Sequence, residues 1–382
     1  MDGEREGLAV TLVRDQRDFA RLRPEWDELQ RRCSTATPFQ SHAWLESWWL
    51  SYGTDGRLRI VLVRLDGRLI AAAPLMLVHR PMPLLVSLGG GISDYGDILV
   101  DDEHADCAIE ALERGLQHAA RHAVIDLREV RPGAAAERLY ESWTGPRRQL
   151  TDSVCLELPA EPMDELVKRM PSSRAQRVRA KLRKIDALRI EGYTVAEHEV
   201  PMAMEHLLRL HELQWRGRGV TVEHLRPRFA EHLVRATRRL VRDGNAALTE
   251  YRLDGEVVAS NVALMSDGLT GGYLYGAHPA LREKKIDVAT MLLRHDVNLA
   301  AATGRSVVSL LRGKESYKNH WRPEAVTNQR LMMAPSRLGP ALSLHAGRAQ
   351  WRDHAAGTVK ARFPAAQQWR ARLNDLRAAG PR

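Results

Sequence analysis

Two stretches of this sequence follow the same plan of apolar and polar positions. In the first, an apolar run passes through Arg64-Leu65-Asp66-Gly67-Arg68-Leu69-Ile70-Ala71 into a second apolar run. The same plan returns 188 positions on, as Arg252-Leu253-Asp254-Gly255-Glu256-Val257-Val258-Ala259. Asp-Gly between two apolar, strand-like runs is the strongest short-range signal of a β-hairpin closed by a type I′ turn. The surroundings repeat as well. Helical, Trp-containing segments precede the hairpins, at residues 42–52 and 202–216. A strand, a helix and a further strand follow, at 83–88, 103–121 and 123–129 in the first half and at 270–277, 287–303 and 306–310 in the second. A shared order at an offset of half the chain indicates duplication, and such periodicity governs the reading of everything else.

The chain has 382 residues, 44% hydrophobic and 27% charged. At ~100–200 residues per domain this is enough for two ordinary globular domains. No apolar run approaches the ~20 residues that span a bilayer. The first twenty residues lack the apolar core of a secretory signal, so a cytoplasmic protein is expected. Cys33, Cys107 and Cys155 are isolated and form no CxxC pair; they are expected to be small buried side chains. The fifteen histidines show no HExxH spacing, so no metal is expected. No GxSxG elbow is present, which argues against an α/β-hydrolase.

The net charge of +9 is unevenly placed. Residues 168–189 hold nine cations and one acid, residues 331–382 hold nine cations and two acids, and the remainder stands at −6. The basicity is thus one central segment, expected to be a helix with Pro171 in its first turn, and one tail. No helix-turn-helix, zinc-finger or RNP pattern accompanies it, so a DNA-binding domain is not indicated.

The order of helix pair, antiparallel hairpin, strand, helix and strand resembles the GNAT acyltransferase fold. From about Thr37 to Met332 the chain resembles the tandem-GNAT family related to FemAB peptidoglycan transferases and to the CelD/BcsL acetyltransferases. Four stretches carry the likeness: Thr37-Pro38-Phe39-Gln40-Ser41 with Trp44 and Trp48; Ser93-Asp94-Tyr95; Leu210-His211-Glu212-Leu213-Gln214-Trp215; and residues 311–318, Leu-Arg-Gly-Lys-Glu-Ser-Tyr-Lys, with Trp321. The resemblance implies an α/β protein of two GNAT-like halves with mixed, mostly antiparallel sheets. The expected boundaries are 1–158, a basic linking helix at 159–190, a cofactor-binding half at 191–335 and a basic tail at 336–382. It implies transfer of an acyl group from acetyl-CoA or another acyl-CoA to an amine, on a small molecule or a cell-envelope or polysaccharide precursor. Two alternatives stay open: a FemAB-like transferase drawing on aminoacyl-tRNA, for which the basic segment offers a phosphate-binding surface, and a non-catalytic binding module on the same fold.

The sequence departs from the family at one telling place. GNAT domains hold the cofactor pyrophosphate on a glycine-containing turn at a helix N-terminus, because glycine lets backbone N–H groups approach phosphate oxygens. Residues 278–286 read His-Pro-Ala-Leu-Arg-Glu-Lys-Lys-Ile and contain no glycine. Arg282, Lys284 and Lys285 are the candidate phosphate ligands instead. The corresponding loop of the first half is glycine-rich but carries Asp94 and Asp97, which repel a pyrophosphate, so that half is expected to face the acceptor.

Direct acyl transfer needs a neutral amine, a donor for the acyl carbonyl and an acid for the leaving thiolate. The backbone of Tyr273, Leu274, Tyr275 and Gly276 is the candidate cofactor strand and carbonyl donor. Tyr317, after the last core strand, is the candidate acid. Asn261, polar within an apolar strand, is a second catalytic candidate, because a buried amide without a partner is costly. Gln40, Asp94, Tyr95, Trp215, Arg312 and Lys318 are the candidate substrate contacts. For several of these, packing competes as an explanation. Trp44 and Trp48 are one turn apart on a core-facing stripe, with Ser41 placed to cap their helix, and His211 reads more readily as a structural histidine than as a base.

Overall fold

Both Asp-Gly turns take the geometry their sequence demands. In the computed structural model, which describes residues 7–216, 221–313, 315 and 317–362, φ is +50° and +83° at Asp66 and Gly67, and +53° and +85° at Asp254 and Gly255. Two successive positive φ values make the type I′ turn, whose twist matches the strands it joins.

The first turn joins two strands of a long α/β run. Its elements are β1 (Leu8–Val13), α1 (Gln16–Arg21), α2 (Arg23–Arg31), α3 (His42–Tyr52), β2 (Leu58–Leu65), β3 (Arg68–His79), β4 (Pro83–Ser87), β5 (Leu99–Val100), α4 (Ala105–Ala119), β6 (Val124–Val130), α5 (Ala135–Ser142) and β7 (Arg147–Pro159). The second run holds α6 (Met163–Lys168), α7 (Ser172–Ala187), β8 (Glu191–Thr194), α8 (Val200–Trp215), α9 (Pro227–Arg242), β9 (Ala246–Leu253), β10 (Glu256–Met265), β11 (Leu269–Ala277), α10 (Pro279–Glu283), α11 (Val288–Ala302), β12 (Val307–Arg312), β13 (Glu324–Met333) and α12 (Gly339–Arg362). The basic segment is α7, with Pro171 at its N-cap rather than in its first turn. Its buried stripe of Ala175, Val178, Leu182 and Ile185 leaves the cations outside.

The residues divide into two compact units. Among the described residues, those within 7–154 together with Val326–His354 form one, and those within 155–325 with 355–362 form the other. In the first, strands run in the order β1-β2-β3-β4-β6-β13; in the second, β8-β9-β10-β11-β12 and then Cys155–Pro159 of β7. Each sheet is antiparallel except at one parallel step, β4 with β6 and β11 with β12. The units are not contiguous in sequence. The strand beside β6 comes from the end of the chain and the strand beside β12 from β7, whereas boundaries near 158 and 335 were expected.

A shared irregularity supports the duplication. On β6, Leu127 and Val130 face Leu331 and Gln329, so β6 carries one residue more than its partner, and Glu129 within that stretch has φ +57°. On β12, Ser309 and Arg312 face Glu157 and Cys155 in the same way, with Leu311 at φ +56°. A bulge with a non-glycine residue at positive φ is an uncommon device. Finding it on the same strand of both units follows most simply from one ancestral unit.

The parting of the parallel strands distinguishes the units. In the first, β4 ends at Ser87 while β6 runs on, and the loop before Ile98 fills the gap: the Gly96 N–H donates to the Glu129 carbonyl at 2.9 Å. The fit is close, since a Cβ on Gly96 would stand 2.3 Å from the Arg128 carbonyl oxygen. In the second unit, β11 continues for six residues beyond its last register partner, Gly271 opposite Ser309. Here a cavity opens.

Two of the sequence's substrate candidates, Asp94 and Tyr95, lie in the closed loop of the first unit, and a third, Gln40, is tied to it. Gln40 is buried, its Oε1 accepting from the Thr37 N–H and hydroxyl and its Nε2 donating to the Tyr95 carbonyl at 3.1 Å. The Tyr95 ring is buried against Phe39, and the Asp94 carbonyl accepts from Asn328 Nδ2. Gln40 and Tyr95 are therefore buried and fastened to one another in the first unit. Ser41 caps α3 as its position suggested, accepting from the Trp44 N–H, and Trp44, Trp48 and Trp49 are all buried. Cys33 and Cys155 are buried and Cys107 is partly so; all three are free thiols.

Candidate functional site

The second unit holds a partly open cavity of about 900 Å³, within the size range of ligand pockets. Tyr275 and Ala277 of the departing strand β11 form one wall, and residues 213–216 at the end of α8 form another. The connection from His278 to Val288, Lys181 of α7, Glu315 and Tyr317 complete it.

Gly276, between the two lining residues of β11, packs against α8. A Cβ there would lie 2.3 Å from the His211 amide nitrogen and 2.6 Å from the Leu207 carbonyl oxygen, both backbone atoms of α8. Only glycine lets helix and strand meet this closely. The residue expected to face the cofactor is thus covered by a helix. Gly276→Ala is expected to destabilise the protein by about 1–3 kcal/mol through overpacking. Gly268→Ala, where a Cβ meets nothing within 4 Å, is expected to stay within about 0.5 kcal/mol. Urea denaturation of both variants checks this, and equal effects would show that the helix–strand contact yields.

His211 occupies the neighbouring carbonyl. Its Nδ1 lies 2.7 Å from the Tyr275 carbonyl oxygen, so that nitrogen carries the proton, and its Nε2 lies 3.1 Å from His224 Nδ1, which must then donate. Burial lowers the pKa of His211 and brings that of His224 to about 4, so the pair is neutral near pH 7. The sequence marks His211 as structural, and in the fold it fixes the edge of β11 at Tyr275.

One side of the cavity is phenolic. The Tyr317 hydroxyl hydrogen-bonds to that of Tyr275, and burial, followed by the neighbouring Tyr275, Glu315 and Asp296, holds its pKa above the ordinary phenol value. Tyr317 stands at the N-cap of a 3-10 turn, Lys318–Trp321. Trp321 packs separately, against Leu158, Val178 and Val308. Beside the phenols, Trp215 Nε1 and Gln214 Oε1 are buried and have no hydrogen-bond partner among the described residues. Both residues line the cavity, but these two atoms are turned away from its solvent.

The cationic side is less regular. Arg282 and Lys285 line the cavity, while Lys284 caps the C-terminus of α10 outside it. The N-terminus of α11 is already closed: Asp287 Oδ1 accepts from the Thr290 N–H at 3.0 Å and its other oxygen pairs with Lys181. A carboxylate thus stands where a GNAT helix would meet a pyrophosphate, and these two partners hold its pKa low despite burial.

Tyr275, Trp215, Arg282, Lys285 and Tyr317 therefore meet around one cavity, and the other candidates do not line it. Leu274 is buried in the sheet opposite Val262, and Tyr273 is half-buried beside the irregularity that follows. Lys318 is buried, its Nζ donating to the Arg312 carbonyl and pairing with Glu315, both at 2.9 Å, so it braces the loop from within. Arg312 supplies that carbonyl from a half-buried position on β12. Lys314 and Ser316 lie outside the described residues.

Asn261 has a partner that sequence reasoning missed. Its Nδ2 donates to Asp296 Oδ1 of α11 at 2.9 Å, and both are buried. A Cβ on Gly272 would stand 2.6 Å from Asp296 Oδ2, so glycine there makes room for the carboxylate. Burial raises the Asp296 pKa to about 7 against the single opposing hydrogen bond from Asn261. Asn261 lies directly across from Tyr275 on the paired strand, which puts the two side chains on one face. Among the described residues no group of three or more His, Cys, Asp or Glu could hold a metal.

Residues 172–319 match the family model described as an acetyltransferase (GNAT) domain. Among solved structures, the whole chain is similar to FemX, with a TM-score of 0.59 at 12% identity over 85% of this chain and 96% of that one. It is similar to a conserved protein of unknown function from Bacteroides thetaiotaomicron, with a TM-score of 0.58 at 10% identity over 85% and 100%. It is also similar to L-PGS from Bacillus licheniformis, with a TM-score of 0.52 at 11% identity over 85% and 96%. At these identities the likenesses establish the fold, a pair of GNAT-like halves. No curated protein matches the chain.

Proposed function

Residues 172–319 being a GNAT-type acetyltransferase domain, we propose that the second unit is an N-acyltransferase that moves an acyl group from acetyl-CoA or another acyl-CoA to an amine. The observation that carries the reading is the cavity's unpaired chemistry. Buried Trp215 Nε1 and Gln214 Oε1 forfeit about 1–3 kcal/mol each while unsatisfied. Turned toward the cavity by a side-chain rotation, they would meet the carbonyl and the N–H of a secondary amide, of the kind found in a pantetheine arm. The phosphate end fits differently from a typical GNAT domain. With Asp287 on the helix N-terminus, phosphates fall to the side chains of Arg282 and Lys285, as charges rather than as a backbone cradle.

The chain's own groups then divide the work. A neutral amine attacks the acyl carbon, the carbon–sulfur bond breaks, the departing thiolate takes its proton from Tyr317, and the proton shed by the newly acylated nitrogen returns through solvent to the tyrosine, so that amide and free thiol leave with the phenol restored. Tyr275 orients that hydroxyl, and His211 fixes the Tyr275 backbone. The acceptor is an amine on a small molecule or an envelope precursor.

One observation favours a second reading, an aminoacyl-tRNA-dependent transferase. Asp287 puts a carboxylate at the helix N-terminus, which disfavours a pyrophosphate there, while α7 exposes Arg177, Arg179, Lys181, Arg183 and Lys184 along one element. A thermal-shift series across CoA esters and tRNA separates the readings. Under the first, an acyl-CoA at saturating concentration raises Tm by several °C, and tRNA does not. A rise with tRNA that vanishes with salt selects the second, and no response to either leaves a binding module.

A further inference from the structure

We propose that α12 carries a docking face for an anionic lipid surface. The helix is held on the first unit by one side: Leu342 and Ala346 pack with Leu84, Val124 and Met332, and His345 Nε2 lies 2.8 Å from Asp126 Oδ2. That side satisfies the fold. Outside it, Leu344 is 53% exposed and Trp351 is 72% exposed. They stand seven residues apart, two turns along one stripe, with exposed Arg348 between them and exposed Arg352 beside Trp351. Every other described tryptophan is buried or half-buried.

Charge selects the occupant. Residues 331–382 carry nine cations against two acids, and the sequence from Phe363 continues the same vocabulary with Trp369, Leu373 and Leu376 among Arg370, Arg372 and Arg377. Arginines bind phosphates of any origin, but an exposed leucine and tryptophan on the same stripe also require an apolar interior to enter. The boundary between headgroups and acyl chains of an anionic bilayer supplies both. No described helix is long and apolar enough to cross a membrane, so the contact is peripheral.

The test is sedimentation of the full chain with phosphatidylcholine vesicles, with and without phosphatidylglycerol. Retention is expected on the anionic vesicles only, and is expected to fall as salt rises. Leu344→Ala with Trp351→Ala should weaken it about tenfold or more, since two apolar side chains leave the lipid. Arg348→Glu with Arg352→Glu should do at least as much, and Tm should hold in both because neither pair faces the core. Absence of binding at low salt overturns the proposal. So does binding unchanged in both variants, which would assign it to residues beyond the helix. A concentration-dependent dimer lost in Trp351→Ala would give the face to a second copy, and tRNA retention lost in the same variant would give it to nucleic acid; either outcome overturns the lipid assignment.

Discussion

Tyr317→Phe is expected to lower the turnover number by about 10²–10⁴-fold while the affinity for acyl-CoA stays nearly constant, the loss typical of removing a general acid. The argument rests on which way the phenol's proton can go. Burial and the surrounding Tyr275, Glu315 and Asp296 raise the Tyr317 pKa, so across the neutral range the group is protonated and serves as a donor, not as a base. Phenylalanine keeps the ring, and so keeps the wall beside Tyr275 that the cavity needs. The hydrogen bond to Tyr275 is lost, at about 1 kcal/mol, which is small beside the loss expected in rate. Steady-state kinetics with a melting curve for the same variant checks this. Lowered Tm with activity intact would make Tyr317 an anchor and place the acid elsewhere. Tyr275→Phe supplies the comparison: if Tyr275 only orients its neighbour, its removal should cost less than that of Tyr317.

The sequence made the repeated unit legible because its strongest signals are local. An Asp-Gly pair between apolar runs encodes its own turn, and Ser41 before Trp44 encodes its own cap. Partner choice between strands is not encoded locally. The apolar residues of β7 and β13 satisfy the strand pattern equally well beside either β6 or β12, so nothing in them announces that each completes the other half's sheet. The same limit hid the burial of Gln40 and Tyr95. Both are polar residues within a family-like motif, and only the closed parting of β4 and β6 turns them inward.

Asp296 was missed although a signal was present. On α11 the core-facing positions Leu292, Leu293, Val297 and Ala300 are apolar, and an acid at position 296 interrupts their stripe. The consecutive glycines at 271 and 272 on the facing strand are the complementary mark of a close approach. Two local oddities on separate elements point to one buried carboxylate only once topology brings the elements together.

That carboxylate should be visible in the pH dependence of stability. The Asp296 pKa is about 7 in the folded protein, against ~3.9 for an unfolded aspartate. Between those values the folded state holds a proton that the unfolded state has lost, so stability falls as pH rises from about 4 to about 7. A shift of about three units corresponds to at most about 4 kcal/mol. Asp296→Asn keeps the shape and can still accept from Asn261 while abolishing the titration. Its unfolding free energy should therefore lack the wild-type decline across this window, and the gap between variant and wild type should move in the variant's favour from pH 5 to pH 8. A protein that keeps an ionisable carboxyl beside its phenols at such a cost is trading stability for the site. If the carboxylate also serves the reaction, the variant should lose activity as its pH slope flattens. Urea denaturation at the two pH values, paired with the rate profile, decides it. Parallel slopes in wild type and variant would show that Asp296 does not titrate there, and a flattened slope with full activity would confine the carboxylate to the fold.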